Sequence, residues 1–152
     1  FFFVALGYVS GGLLAGKLVS RVGVTNMIGT GVGIGVLFGV LGLTLSLNEV
    51  QTIPAVIVPI VGVFFACGFV LPAATAGALM PFPQIAGTAS SAISFLQMSG
   101  GAIIGFLAGY LHDGTTVPLF AVIFASWICA AAIYMRARWW GPIRPLADAT
   151  NG

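Results

Sequence analysis

Residues 78–105 read "ALMPFPQIAGTASSAISFLQMSGGAIIG". Pro81 and Pro83 close a long apolar run that starts near Ile53. A second run follows at once, seeded with serines, one glutamine and several glycines, and it carries no charge. In water, mildly polar residues collect in loops. Here they lie inside an apolar segment long enough to cross a bilayer as a helix, which takes about 20 residues. A helix meets its own backbone hydrogen bonds in hydrocarbon, and small residues let it approach a neighbour closely. The stretch therefore reads as the end of one membrane helix, a proline-marked turn, and the start of another.

Composition extends that reading to the whole chain. Hydrophobic residues make up 59% and charged residues 5% of the 152, against roughly a quarter charged in soluble domains. So few charges cannot cover the surface of a soluble fold this size. The basic residues form two clusters, Lys17 with Arg21 and Arg136 with Arg138 and Arg144. They flank apolar runs, where they act as an orientation signal and do not form a nucleic-acid face. Cys67 and Cys129 sit in mid-run and read as inert packing thiols. One histidine and two distant cysteines make no metal site. The opening "FFFVALG" has no basic segment before it, unlike a signal peptide, and reads as a sequence entered in mid-helix, so a longer protein is expected.

Five spans are predicted, at about 1–17, 27–47, 53–80, 88–111 and 117–135, with a tail at 136–152. The runs exceed the length of a membrane strand and do not alternate, which disfavours a β-barrel. Five crossings put both basic clusters on one side, while the connections near Glu49 and Asp113 hold no Lys or Arg. The positive-inside rule then makes the tail cytoplasmic and the start external. Tyr134, Trp139 and Trp140 read as an interfacial aromatic belt.

No charged residue falls inside a span. His112 and Asp113 read as an interfacial turn ahead of Gly114. There is no nucleophile–base pair and no cofactor motif, so the chain reads as a non-enzyme without a cofactor. Glycines recur at four-residue spacing: Gly7 and Gly11, then Gly12 and Gly16, in the first span; Gly31, Gly35 and Gly39 in the second; Gly101, Gly105 and Gly109 in the fourth. They predict close helix packing, with Gly7, Gly11, Gly101 and Gly105 as packing positions. Ser90, Ser94, Gln97, Gly101 and Gly105 share one helix face. That stripe either packs on another helix or lines a watery pathway. Pro72 removes one hydrogen bond of the third span and frees the carbonyl of Gly68, with Thr75 nearby. Pro72 and Thr75 form either a plain kink or a cavity-lining hinge.

The run "LPAATAGALMPFPQIAGTASSAISFLQMSGGAIIG" resembles the tenth and eleventh helices of the bicyclomycin/chloramphenicol-resistance (Bcr/CflA) drug exporters of the major facilitator superfamily. Leu71, Pro72, Ala74, Thr75, Ala76, Pro81, Phe82, Pro83, Ala86, Gly87, Ala89, Ser90, Phe95, Leu96 and Gln97 carry the match, and Ala73 stands where that family has Asn. "GKLVSRVG" resembles the superfamily's cytoplasmic loop pattern through Gly16, Leu18, Arg21 and Gly23. The resemblance implies an all-α membrane protein whose five helices are numbers eight to twelve of a twelve-helix fold. It also implies a multi-pass exporter of the inner membrane that uses protons to expel amphipathic drugs. The partners would be lipid, the drug, protons and a missing amino-terminal half. The third span would line the cavity, the first and fourth would pack against that missing half, and the second and fifth would face lipid. The alternatives are a major facilitator transporter of another solute, such as a sugar, organic acid or siderophore, and a non-transporting helical membrane subunit.

Overall fold

Two helices pack on the glycine-rich span Val24–Leu47, and a third pairs with its neighbour Ile53–Leu79. In the computed structural model, residues 2–48, 52–81, 83–111 and 114–139 are described. Glu49, Phe82, His112, Asp113, Trp140 and Arg144, all named above, lie outside them, as does the rest of the chain after Trp139. Five helices follow one another: α1 Phe2–Val22, α2 Val24–Leu47, α3 Ile53–Leu79, α4 Ala86–Tyr110 and α5 Val117–Trp139. A short 3-10 turn, Pro83–Ile85, leads into α4. All five are long and apolar enough to cross a membrane. The chain is an all-α membrane protein.

The helices outlast the apolar runs at the basic end. The stretch 17–26, expected as a connection, is helical except at Gly23, so that α1 ends at Val22 and α2 begins at Val24. Gly23 makes this one-residue reversal possible, with φ at 81°, a left-handed conformation that costs glycine little. Its N–H donates to the carbonyl of Val19 at 3.1 Å, and its own carbonyl accepts from Met27 N–H at 3.1 Å. Gly114, φ 86°, supports the turn before α5 in the same way.

Three helix pairs hold the bundle. α1 and α3 run parallel, and Gly7 and Gly11 face the backbone at Val61 and Phe65. α3 returns the fit from its own side, since a Cβ on Gly68 would meet Tyr8 O and lie 2.9 Å from Gly12 N. α2 packs antiparallel on α3, with Gly31 under Phe69 and Val70, and Gly62 under Phe38. α5 packs antiparallel on α2 through aromatic rings, with Phe120 over Gly42, Phe124 over Gly39, Trp127 over Gly35 and Tyr134 over Gly29. Glycine removes the side chain that would keep helices apart, and dispersion across the contact then holds them together where no hydrophobic effect can. The three glycines predicted on one α2 stripe are thus divided, Gly31 to α3 and Gly35 and Gly39 to α5.

Two apolar clusters result. Ala15, Met27, Phe69 and Ala73 join α1, α2 and α3 near the Gly23 turn. Val32, Val63, Ala66 and Trp127 join α2, α3 and α5 farther along. Pro59 and Phe120 are also fully buried. The outward surface is oily, with Leu37, Ile103, Phe106 and Ile133 well exposed, as a lipid solvent requires. Hydroxyls inside the helices bond to their own backbone, for example Ser10 to Gly7 O at 2.9 Å, Thr30 to Met27 O at 2.9 Å and Ser126 to Val122 O at 2.8 Å. That satisfies a donor where no water is present.

The ends of the bundle differ in charge. Lys17 and Arg21 close α1, and Arg136 and Arg138 close α5. The Tyr134–Gly29 contact brings the α5 end beside the start of α2, so these four cations share one end. At the other end, the Ser46 and Thr116 hydroxyls are hydrogen-bonded at 2.6 Å between α2 and the start of α5.

Candidate functional site

The sequence singles out one helix with an internal proline and one with a polar stripe. α3 runs unbroken from Ile53 to Leu79 through both Pro59 and Pro72. Proline deprives the residue four earlier of a hydrogen bond, which here affects Ala55 and Gly68. The Gly68 carbonyl oxygen lies 3.9 Å from where a Gly12 Cβ would be. The freed oxygen therefore lies beside the glycine surface of α1. One turn on, the Thr75 hydroxyl donates to Leu71 O at 2.8 Å. Pro72 itself is exposed while Ala73 and Phe69 are buried. Pro72 is thus exposed and Thr75 half-buried, one turn beyond the contact of Gly68 with α1.

α4 stands out differently, because none of its residues is buried. Gly101, Gly105 and Gly109 have nothing within 4 Å of an added Cβ. Ser90 and Ser91 spend their hydroxyls on Gly87 O, each at 2.9 Å. Gln97 is exposed, and among the described residues no hydrogen bond joins it to α3. The stripe of Ser90, Ser94, Gln97, Gly101 and Gly105 is therefore a bare surface here. In α1, by contrast, Gly7 and Gly11 are covered by α3, whereas Gly16 is open. α2 and α5 are each covered on one side only. Each shows lipid one side, with Leu37 and Ile133 exposed, but their glycine and aromatic faces are spent on each other. Gly16, on the loop pattern, is open, Arg21 is exposed, and Gly23 forms the turn.

Reading the residues missed Pro59, Gly42, Gly62 and Gly68 as contact points. A signal existed for Gly42. Glycines at 42, 39 and 35 on α2 mirror aromatics at 120, 124 and 127 on α5, the register expected of two antiparallel helices that meet along one face each.

The chain is 37% identical over 62 residues to multidrug resistance protein D of Escherichia coli (strain K12). The aligned stretch covers 41% of this chain and 16% of that protein. No family model matches the chain. No solved structure matches it either.

Proposed function

We propose that this chain is the carboxy-terminal portion of a Bcr/CflA-type drug exporter of the major facilitator superfamily. It would be a proton-coupled antiporter of the inner membrane that expels small amphipathic drugs such as phenicols or bicyclomycin, with its carboxy terminus in the cytoplasm. The observation that carries this reading is the similarity to a multidrug resistance protein in a chain built of five membrane-crossing helices. Two features of the fold support it. The exposed side of α3 at Pro72 is suited to border a substrate path, because a proline inside a membrane helix leaves a backbone carbonyl without its helix partner. The bare stripe of α4 is suited to meet an amino-terminal half across a contact that slides during the transport cycle. α1 is less suited to that contact, its Gly7 and Gly11 being taken.

The test uses cells that make the intact protein. They should expel ethidium or chloramphenicol, and an uncoupler should stop the efflux. Efflux indifferent to the uncoupler would contradict proton coupling, and absence of drug efflux would contradict the cargo. Gln97→Leu should leave expression unchanged and slow efflux about tenfold, since an interhelical hydrogen bond in lipid is worth about 1–2 kcal/mol. Unaltered efflux in that variant would return the α4 stripe to plain packing.

A further inference from the structure

Ser46 is the one buried polar side chain among the described residues. It also departs from the other helix hydroxyls. Ser10, Thr30 and Ser126 bond to their own backbone, whereas the Ser46 hydroxyl is paired with that of Thr116 at 2.6 Å across the α2–α5 contact. Thr116 stands just ahead of α5, and its carbonyl accepts from Phe120 N–H at 3.2 Å. A threonine in that place ordinarily turns its hydroxyl onto the first free N–H groups of its own helix. Here the hydroxyl crosses to α2 instead. The pair extends a series, because Ser46 faces Thr116 as Gly42 faces Phe120, Gly39 faces Phe124 and Gly35 faces Trp127.

The rings and glycines of that series permit a second register. With α5 moved one turn towards Ser46, Phe124 would sit on Gly42, Trp127 on Gly39 and Tyr134 on Gly33. Neither Gly39 nor Gly33 is required by the observed packing. A Cβ on Gly39 would lie 3.4 Å from Phe124 Cα, an ordinary contact, and a Cβ on Gly33 would meet nothing within 4 Å. Arg136 and Arg138 would reach back to the interface with their long side chains. One turn the other way is closed, because Trp127 would fall on Gly31, which Phe69 and Val70 already cover. In the shifted register Phe120 would meet Ser46, and the hydroxyl pair would be lost. We propose that Ser46 and Thr116 form a register key, which selects one of two packings of α5 on α2 as the helices assemble. A single polar position in an apolar helix contact fixes register in the same way in coiled coils. The inference concerns a contact internal to the bundle, and loss of drug efflux would leave it intact.

The test reads the register as a distance between spin labels on Asn26→Cys and Leu119→Cys, both exposed positions, in the intact protein without other cysteines. At 1.5 Å per residue the two lie about 25 Å apart along the helix axes, and the shifted register would lengthen the separation by about 5 Å. Pulsed electron–electron double resonance should give one distance for the parent and for Thr116→Ser, which keeps the hydroxyl. Ser46→Ala and Thr116→Val break the pair from either side. Each should raise the share of molecules at the longer distance about tenfold, the factor for one interhelical hydrogen bond. Ser46→Ala leaves Thr116 free to cap α5, so the helix itself is not put at risk. Adding Gly39→Ala should abolish the longer distance, because Phe124 tolerates the new methyl group whereas the indole of the shifted register would strike it. An unchanged distance in both Ser46→Ala and Thr116→Val, or mere broadening about the parent distance, would overturn the proposal. So would a longer distance that survives Gly39→Ala or that Thr116→Ser also produces.

Discussion

Gly11→Ala is expected to loosen α1 from α3 and to destabilise the bundle by about 1–3 kcal/mol, the usual cost of overpacking a close contact. The new methyl group would collide with the Phe65 carbonyl oxygen and lie 3.1 Å from its carbon and 3.2 Å from its Cα. All three atoms are backbone, so no side chain can rotate away and a whole helix must shift. The intrinsic preference of alanine for helix, about 1 kcal/mol over glycine, opposes this cost but does not cancel it. Gly33→Ala, on the exposed side of α2, is the control. Nothing lies within 4 Å of its added Cβ, so only the propensity gain remains and the helix should be unharmed or slightly steadier. Denaturation in detergent, followed by helicity, compares the two. Equal destabilisation at both positions would show that the α1–α3 glycine contact is not what holds these helices together.

Trp127→Ala carries the other large effect. The ring covers Gly35 and packs with Val32, Val63 and Ala66, and it is 9% exposed. Its removal should cost about 3–5 kcal/mol through lost contacts and the cavity left behind. Phe120 and Phe124 would remain over Gly42 and Gly39, so α5 should loosen at its middle and stay in register. Gly35→Leu alone should also destabilise, because its side chain would enter the space of the indole. Combined with Trp127→Ala, that leucine grows into the vacated space and should recover part of the loss. The double-mutant cycle should therefore show favourable coupling between the two positions, which is the mark of residues in direct contact. Simple additivity would mean that Trp127 does not seat on Gly35.

Much of this architecture is legible in the sequence because lipid imposes one strong rule. A run such as 53–80 must be a helix wherever it crosses hydrocarbon, so length and composition suffice to find it. Helix partners obey no such rule. Gly31, Gly35 and Gly39 share a face by simple spacing, yet they serve two neighbours, because four-residue spacing drifts around a straight helix by about 40° per repeat. The glycine repeats of α1 and α4 look alike in sequence, but Gly7 and Gly11 are buried on backbone while Gly101, Gly105 and Gly109 are bare. That difference depends on which helices lie alongside, and glycine spacing says nothing about it. The aromatic side of the α2–α5 contact was readable, since Phe120, Phe124 and Trp127 are spaced by four and three residues, as Gly35, Gly39 and Gly42 are. Pro59 was hidden for another reason. It is buried in a continuous helix, where a proline marks no boundary.

All of these contacts presuppose that five helices cross the bilayer with their basic ends together. Single cysteines at Lys17, Arg138 and Asn48, in a protein whose Cys67 and Cys129 are replaced by alanine, test this most directly with a membrane-impermeant thiol reagent applied from either side. Lys17→Cys and Arg138→Cys should react from one face only, and Asn48→Cys only from the other. Labelling of positions 17 and 138 from opposite faces would contradict the five-crossing arrangement.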